Sequence, residues 1–400
     1  MKIRSITYFS NPKYPLAEKI LHKAGIFLAE AKSAYEAAGY EVQTTRLATI
    51  PFPEILDKKN INELPAYAES LGNALQQVGI AYASLGPALP EMPRSYEIIP
   101  DAIAAAQNVF YGGVMADIKR GLDLSAIRAC AEIIVKCATI EPNGFANLQF
   151  AALANVKAGA PFFPAAYHTG NKPAFGIATE SADLAVAAFE NAQSVDEGRK
   201  NLIHAIEKHG KKLAKIAKSL DCKFYGVDFS LAPFPTDAQS LGTAFEKLGV
   251  SKIGWHGSLA AAALFTESID RANFPRTGFS GLMMPVLEDA TLAKRAAEGT
   301  LSIKDLLLYC AVCGVGLDTI PLPGDTTAEQ LVPLLLDVSA LALRLDKPLT
   351  ARLMPVPGKK AGDETNFDFG FFANSKVMKL DSAELNSPLN GNEVLQIKKR

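Results

Sequence analysis

Residues 80–86 read IAYASLG and residues 109–115 read VFYGGVM. Both are short apolar runs, the length of strands rather than of helices. Between them, residues 95–107 repeat apolar side chains at helical spacing. Two buried strands joined by a helix form a βαβ unit, whose strands pair in parallel. That unit sets the class as α/β.

The same alternation extends in both directions. Upstream, residues 16–38 carry Ile20, Phe27, Ala31 and Ala34 on one helical face, with Gly39 as a stop, and the strand-like YEVQTTRL follows. Residues 63–77 read as helix. Downstream, helix 125–138 is followed by a stretch at 140–175 crowded with Asn, Gly, Pro and aromatics. Its apolar content predicts an ordered loop packed over the core. FGIAT (175–179), CKFYGVDFSLAPFP (222–235), GFSGLMMPVLED (278–289), LDTIPLPGD (317–325) and LTARLMPVPGKK (349–360) read as strands with polar ends, separated by helical segments. Nine or ten strands alternating with helices suit a barrel better than a small open sheet. The expected architecture is an α/β barrel of about ten strands with surrounding helices. Residues 1–380 form its single domain, and the polar stretch 381–400 is a mobile C-terminal tail.

Composition narrows the function. Hydrophobic residues make up 48% of the 400-residue chain, enough for a sizeable core. The formal net charge is −1, from 41 basic and 42 acidic residues. A nucleic-acid partner would call for a basic excess and a membrane surface for a basic amphipathic face; neither partner is expected. The lysines between Lys200 and Lys218 read as the solvated side of a helix. Five cysteines without a regular framework argue against a secreted disulfide scaffold. With no signal-peptide pattern and no apolar run of bilayer length, a cytoplasmic location is expected. A homodimer is the commonest assembly and the expected one.

In parallel α/β folds ligands gather at the C-terminal ends of strands, so polar residues just after strand-like runs are the candidates. His168, in AAYHTG, titrates near neutrality and suits acid/base work, or else hydrogen-bonds its own loop. His22, His204 and His209 lie on helical patterns, and His256 in a turn is a weaker candidate. Asp228 interrupts an apolar strand, where a carboxylate needs a partner, a metal or a ligand; it also suits a turn cap. Asp318 and Asp325 bracket a Pro-rich strand and suit a divalent cation or a polar substrate, or simply turns. Lys359 and Asp363 sit on a Gly/Pro loop where Lys359 suits an anion. Glu288 ends an apolar run, beside Asp289, which reads as a helix cap. Cys310 and Cys313 lie one helical turn apart, without the second pair that a zinc site needs; they suit a redox pair or small core residues.

Taken together, MKIRSITYF, NLQFAALANVKAGAPFFPAAYH, VDFSLAP, GFSGLMMPVLED, CGVGLDTIPLPGD and LMPVPGKKAGD resemble the family of unknown function numbered 711, over about residues 1–380. The resemblance implies a fold related to the ten-stranded barrel of the pyruvate formate-lyase-like glycyl radical enzymes. It does not imply their chemistry. The Arg-Val-x-Gly-aromatic setting of the radical is missing, since Met354 and Pro355 follow Arg352-Leu353.

The expectation is an enzyme with a polar small-molecule cleft at one mouth of the barrel, using acid/base or metal-assisted chemistry. His168, Asp228 and Asp318 are its catalytic candidates. Asp325, Lys359, Asp363, Glu288 and Cys313 would bind substrate, and Asp228, Asp318 and Asp325 would hold a divalent metal ion. The alternative is a non-catalytic metabolite-binding or regulatory protein.

Overall fold

The structure, a computed structural model, describes residues 1–400. One large mixed sheet forms its centre, with helices packed around it. The strands are β1 (Lys2–Phe9), β2 (Val42–Ala48), β3 (Tyr82–Ala88), β4 (Val109–Asp117), β5 (Gly121–Asp123), β6 (Phe150–Ala154), β7 (Ala174–Glu180), β8 (Lys223–Asp228), β9 (Gly316–Pro323), β10 (Leu349–Val356) and β11 (Val394–Leu395). Their order is β8-β7-β1-β2-β3-β4-β6-β10-β9, with β5 and β11 appended to β4.

The sheet is built in two directions. β1, β2, β3, β4 and β6 run parallel to one another. β7 with β8, and β10 with β9, are also parallel pairs. The two sets meet antiparallel at β1/β7 and at β6/β10. The sequence reading anticipated a largely parallel sheet but neither reversal, because periodicity within a strand carries no direction.

Several strands are buried on both faces, which explains why they read as apolar runs rather than as alternation. Every residue of β6, β7 and β10 is buried. β6 lies inside the stretch read as loop. Its sequence, FAALA, is mostly alanine, which has little strand propensity of its own. The rest of that stretch, about 155–173, packs against the sheet. Thr7 Oγ1 donates to the Pro161 carbonyl (2.9 Å) and Ser84 Oγ to that of Ala166 (2.7 Å).

The segment GFSGLMMPVLED is not a strand. Gly278 and Ser280 have φ of 63° and 43°, outside strand geometry, and Val286–Glu288 form a 3-10 turn. The amides of Phe279 and Ser280 donate to the Asp228 carboxylate instead of to a ladder. With the residues just before it, this segment still reaches both edges of the sheet. Arg276 makes a parallel bridge to Val227 of β8, and Pro285 makes one to Asp318 of β9.

The helix Ala328–Arg344 begins with a Thr327/Gln330 capping box, and Leu124–Cys137 with Asp123 accepting from two amides. These two helices pack against each other. The end of the chain lies on the same side. β11 pairs antiparallel with β5, and Arg344 Nη1 donates to the Lys398 carbonyl (3.1 Å). No helix is long and apolar enough to cross a membrane.

Candidate functional site

A cavity of about 350 Å³ is lined by residues from β1, β2, β3, β4, β6, β9 and β10, by the loop 155–173 and by the segment 275–288. Tyr82, Phe110, Phe163, Phe279, Phe369 and Phe371 supply aromatic walls. Arg4, Arg46, Arg352, Glu288 and Asp318 supply charge.

Four of these charges form a chain with a fifth group behind them. Arg4 Nη1 donates to Glu180 Oε2 (2.9 Å) and its Nη2 to Glu288 Oε2 (2.5 Å). Arg352 Nη2 donates to Glu288 Oε1 (2.8 Å), and Arg352 Nε to Asp318 Oδ1 (2.5 Å). Gln43 Nε2 also donates to Glu180 Oε2 (2.8 Å). All five charged side chains are largely buried, Asp318 and Arg4 the most open at 15% exposure. Two buried oxygens beside this chain, Glu180 Oε1 and Gln43 Oε1, have no donor from the protein.

Burial shapes the titration here. It raises the pKa of Asp318 against the pull of Arg352, and that of Glu180 against Arg4 and Gln43. Arg46 differs from the other two arginines. Its Nε donates to Thr44 Oγ1 (2.8 Å), and it makes no ion pair and no other hydrogen bond. Its guanidinium lies over Phe163 (5.0 Å to the ring centroid) and Tyr82 (5.8 Å). Burial, and then the charge of Arg4, push its pKa down to about 9, which leaves it a cation at neutral pH.

The sequence candidates divide. Asp318 and Glu288 come together here, joined through Arg352. Asp228 is fully buried but does not line the cavity. It accepts from Ser230 Oγ, Phe279 N and Ser280 N, each at 2.7 Å, and burial pushes its pKa up to about 6. His168 is buried outside the cavity lining. Its Nε2 donates to the Lys172 carbonyl (3.0 Å), and Tyr225 Oη lies 3.4 Å from its Nδ1. Asp325 and Asp363 are exposed and Lys359 is half-buried; none of the three lines the cavity. Asp363 closes its own turn by accepting from the Lys360 amide (2.7 Å). Cys313 is buried, donates to the Leu282 carbonyl (3.2 Å), and its thiol pKa is raised by burial. Asp228, Asp318 and Asp325 do not come together, and no group of three or more His, Cys, Asp or Glu side chains is placed to hold a metal ion.

Arg4, Gln43, Arg46, Glu180 and Arg352 were absent from the sequence candidates. The signal was present for Arg352, which interrupts the apolar strand LTARLMPV as Asp228 does its own; Arg4 in KIRSITYF and Arg46 in VQTTRLA have polar neighbours and do not stand out. Arg4 is the third residue of β1, Tyr82 the first of β3 and Arg352 the fourth of β10. Because the sheet runs in two directions, its polar groups do not collect at the ends of strands.

Over residues 1–375 the chain matches the model of a family described as Uncharacterised ACR (DUF711). The chain belongs to this family. Among relatives, a UPF0210 protein of Pyrobaculum aerophilum is 31% identical over 361 residues, covering 86% of this chain and 79% of its own. One from Ruminiclostridium cellulolyticum is 28% identical over 384 residues, covering 91% and 85%. A solved cellobiohydrolase mutant in its closed form aligns with 57% of this chain and 61% of its own, at 14% identity and a TM-score of 0.23, too low to carry an argument. The DUF711 match covers all the charged residues of the cavity, which lie between Arg4 and Arg352.

Proposed function

We propose that this DUF711 member is an enzyme acting on a small polar molecule held in the cavity, at the mouth of a ten-membered barrel. Two features support the barrel. The strands fall into one parallel set of five and one of four, and the segment bridging β8 and β9 runs parallel to both. It would serve as the fifth member of the second set, replacing ladder bonds by the Asp228 carboxylate.

The observation that carries the enzyme reading is the buried chain Glu180–Arg4–Glu288–Arg352–Asp318 beside the cavity. Burying so many charges costs several kcal/mol per ion before pairing offsets it, and apolar residues of similar volume would often be as stable. Such a network in a cavity of ligand size supports reading it as a working site. Asp318 would be the acid/base group: it lines the cavity, its pKa is raised, and Arg352 fixes its orientation. Glu288 would hold both arginines in place.

The test is a metabolite screen by thermal shift, followed by turnover assays on the hits. Wild type is compared with Asp318→Asn and with Met283→Trp, which drives an indole into the cavity. The reading expects hits that stabilise wild type, lose binding in Met283→Trp, and in Asp318→Asn still bind but are no longer converted. Hits that bind Met283→Trp as well as wild type would place the site elsewhere. Cavity-bound hits with no conversion by wild type would leave a binding protein rather than an enzyme.

A further inference from the structure

We infer that the cavity recognises an anion, a carboxylate or a phosphate, on a ligand with a flat apolar body, and that Arg46 takes the anionic group. The inference rests on the cavity being the ligand site. A guanidinium has five N–H donors. Arg46 spends one, on Thr44 Oγ1, and both terminal nitrogens donate to nothing in the protein. The neighbouring acids are committed elsewhere: Glu180 and Glu288 to Arg4, Glu288 and Asp318 to Arg352. Arg4 is the charged neighbour that acts most strongly on Arg46, and it has the same sign.

A half-buried guanidinium that no carboxylate contacts, in a cavity, has outer N–H donors left for a ligand's anionic group. The rings of Phe163 and Tyr82 pack beside the guanidinium without using its outer donors. That planar fork matches the oxygens of a carboxylate or phosphate, which a point-like ammonium does not. The remaining walls decide the body of the ligand. Phe110, Phe279, Phe369 and Phe371 line the cavity and give it an aromatic surface suited to a flat apolar group.

The experiment is titration calorimetry with four matched probes: phenyl phosphate, phenylacetate, the neutral phenylacetamide and the cationic phenethylamine. The proteins are wild type, Arg46→Gln, Arg46→Lys and Met283→Trp. The expected result is that one or both anions bind wild type and the amide and amine do not. Arg46→Gln then weakens the anion roughly 10- to 100-fold, the worth of a charge-assisted hydrogen bond. Arg46→Lys, which keeps charge but not the fork, falls between. Melting curves without probe confirm that each variant folds. Binding of the amine or amide as tight as that of the anions, lost in Met283→Trp, overturns the anion inference and leaves the cavity as the site. Anion binding unchanged in both Arg46→Gln and Met283→Trp overturns both. Failure of both anions to bind overturns the inference alone, because the cavity is tested by the wider screen.

Discussion

Glu288→Gln is the substitution whose cost can be worked most directly from the structure. Glu288 is 8% exposed and bonds Arg4 Nη2 with one oxygen (2.5 Å) and Arg352 Nη2 with the other (2.8 Å). Glutamine has the same shape but one acceptor oxygen. Whichever arginine faces the new NH₂ group meets a donor with a donor. Removing one partner of a buried ion pair costs about 3–5 kcal/mol. Arg4 keeps Glu180 and Arg352 keeps Asp318, so the expected cost is at the low end of that range, near 3 kcal/mol. A double-mutant cycle isolates the cause. In Arg352→Met the methionine has no donor to oppose the amide, so Glu288→Gln should cost less in that background. The expected coupling is about 1–3 kcal/mol. The assay is urea denaturation at neutral pH, comparing midpoints at constant slope. A single-variant cost below about 1 kcal/mol, or additivity within about 0.5 kcal/mol, would refute the claim that Glu288 is held by both arginines at once.

Three further outcomes are expected. Gly278→Ala should lower the melting temperature sharply, since a positive φ alone costs about 1–3 kcal/mol and the added Cβ would lie 2.0 Å from Asp228 Oδ2; an unchanged melting curve would contradict the close packing there. Asp228 holds its proton more tightly folded than unfolded, because its pKa is raised to about 6. Its contribution is therefore present below the ordinary carboxylate range near 4 and is lost as pH rises to about 6, a swing on the order of 3 kcal/mol. Wild type and Asp228→Asn should show different stability slopes across that window, and parallel slopes would be inconsistent with the raised value. Truncation after Leu385 removes β11 and the bonds of Gln396 to Arg120 and of Arg344 to Lys398. With each bond worth about 1 kcal/mol and offset by the ordering of the tail, the net loss should be about 1–3 kcal/mol, with ligand binding retained; hydrogen exchange on β5 reads the change directly.

Much of the architecture was legible from residue patterns. The βαβ alternation placed β2, β3, β4, β7, β8, β9 and β10 and most helices between them; β1 was quoted only for the family resemblance. β6 was hidden by its alanines, and the segment around Gly278 read as a strand because its apolar residues are buried for another reason: they line a strained connection pinned by Asp228. At the site, Glu288 and Asp318 were found because acids at the end of apolar runs stand out. A charge inside an apolar strand demands a partner whatever its sign, and Arg352 satisfies that description as fully as Asp228 does; Arg4 and Arg46 lie among polar strand neighbours that hide them. Which charge meets which was not legible at all, because the chain Glu180–Arg4–Glu288–Arg352–Asp318 joins five separated segments.

The opposed directions of the two strand sets bear on the electrostatics of the whole molecule. Helices that link parallel strands run back against them, so the helices of one set point opposite to those of the other. Each helix carries a macrodipole equal to about half a charge at either end. In a barrel whose strands all run one way, those dipoles add, and one rim gains a standing positive field at no cost in side chains. Here they largely cancel. A cavity in such a scaffold must create its field from ionised side chains, and it must bury acids as well as bases to hold those side chains still. A chain of arginines and carboxylates is what that requirement produces, and Arg46, the one arginine left outside the chain, offsets its excess of one carboxylate.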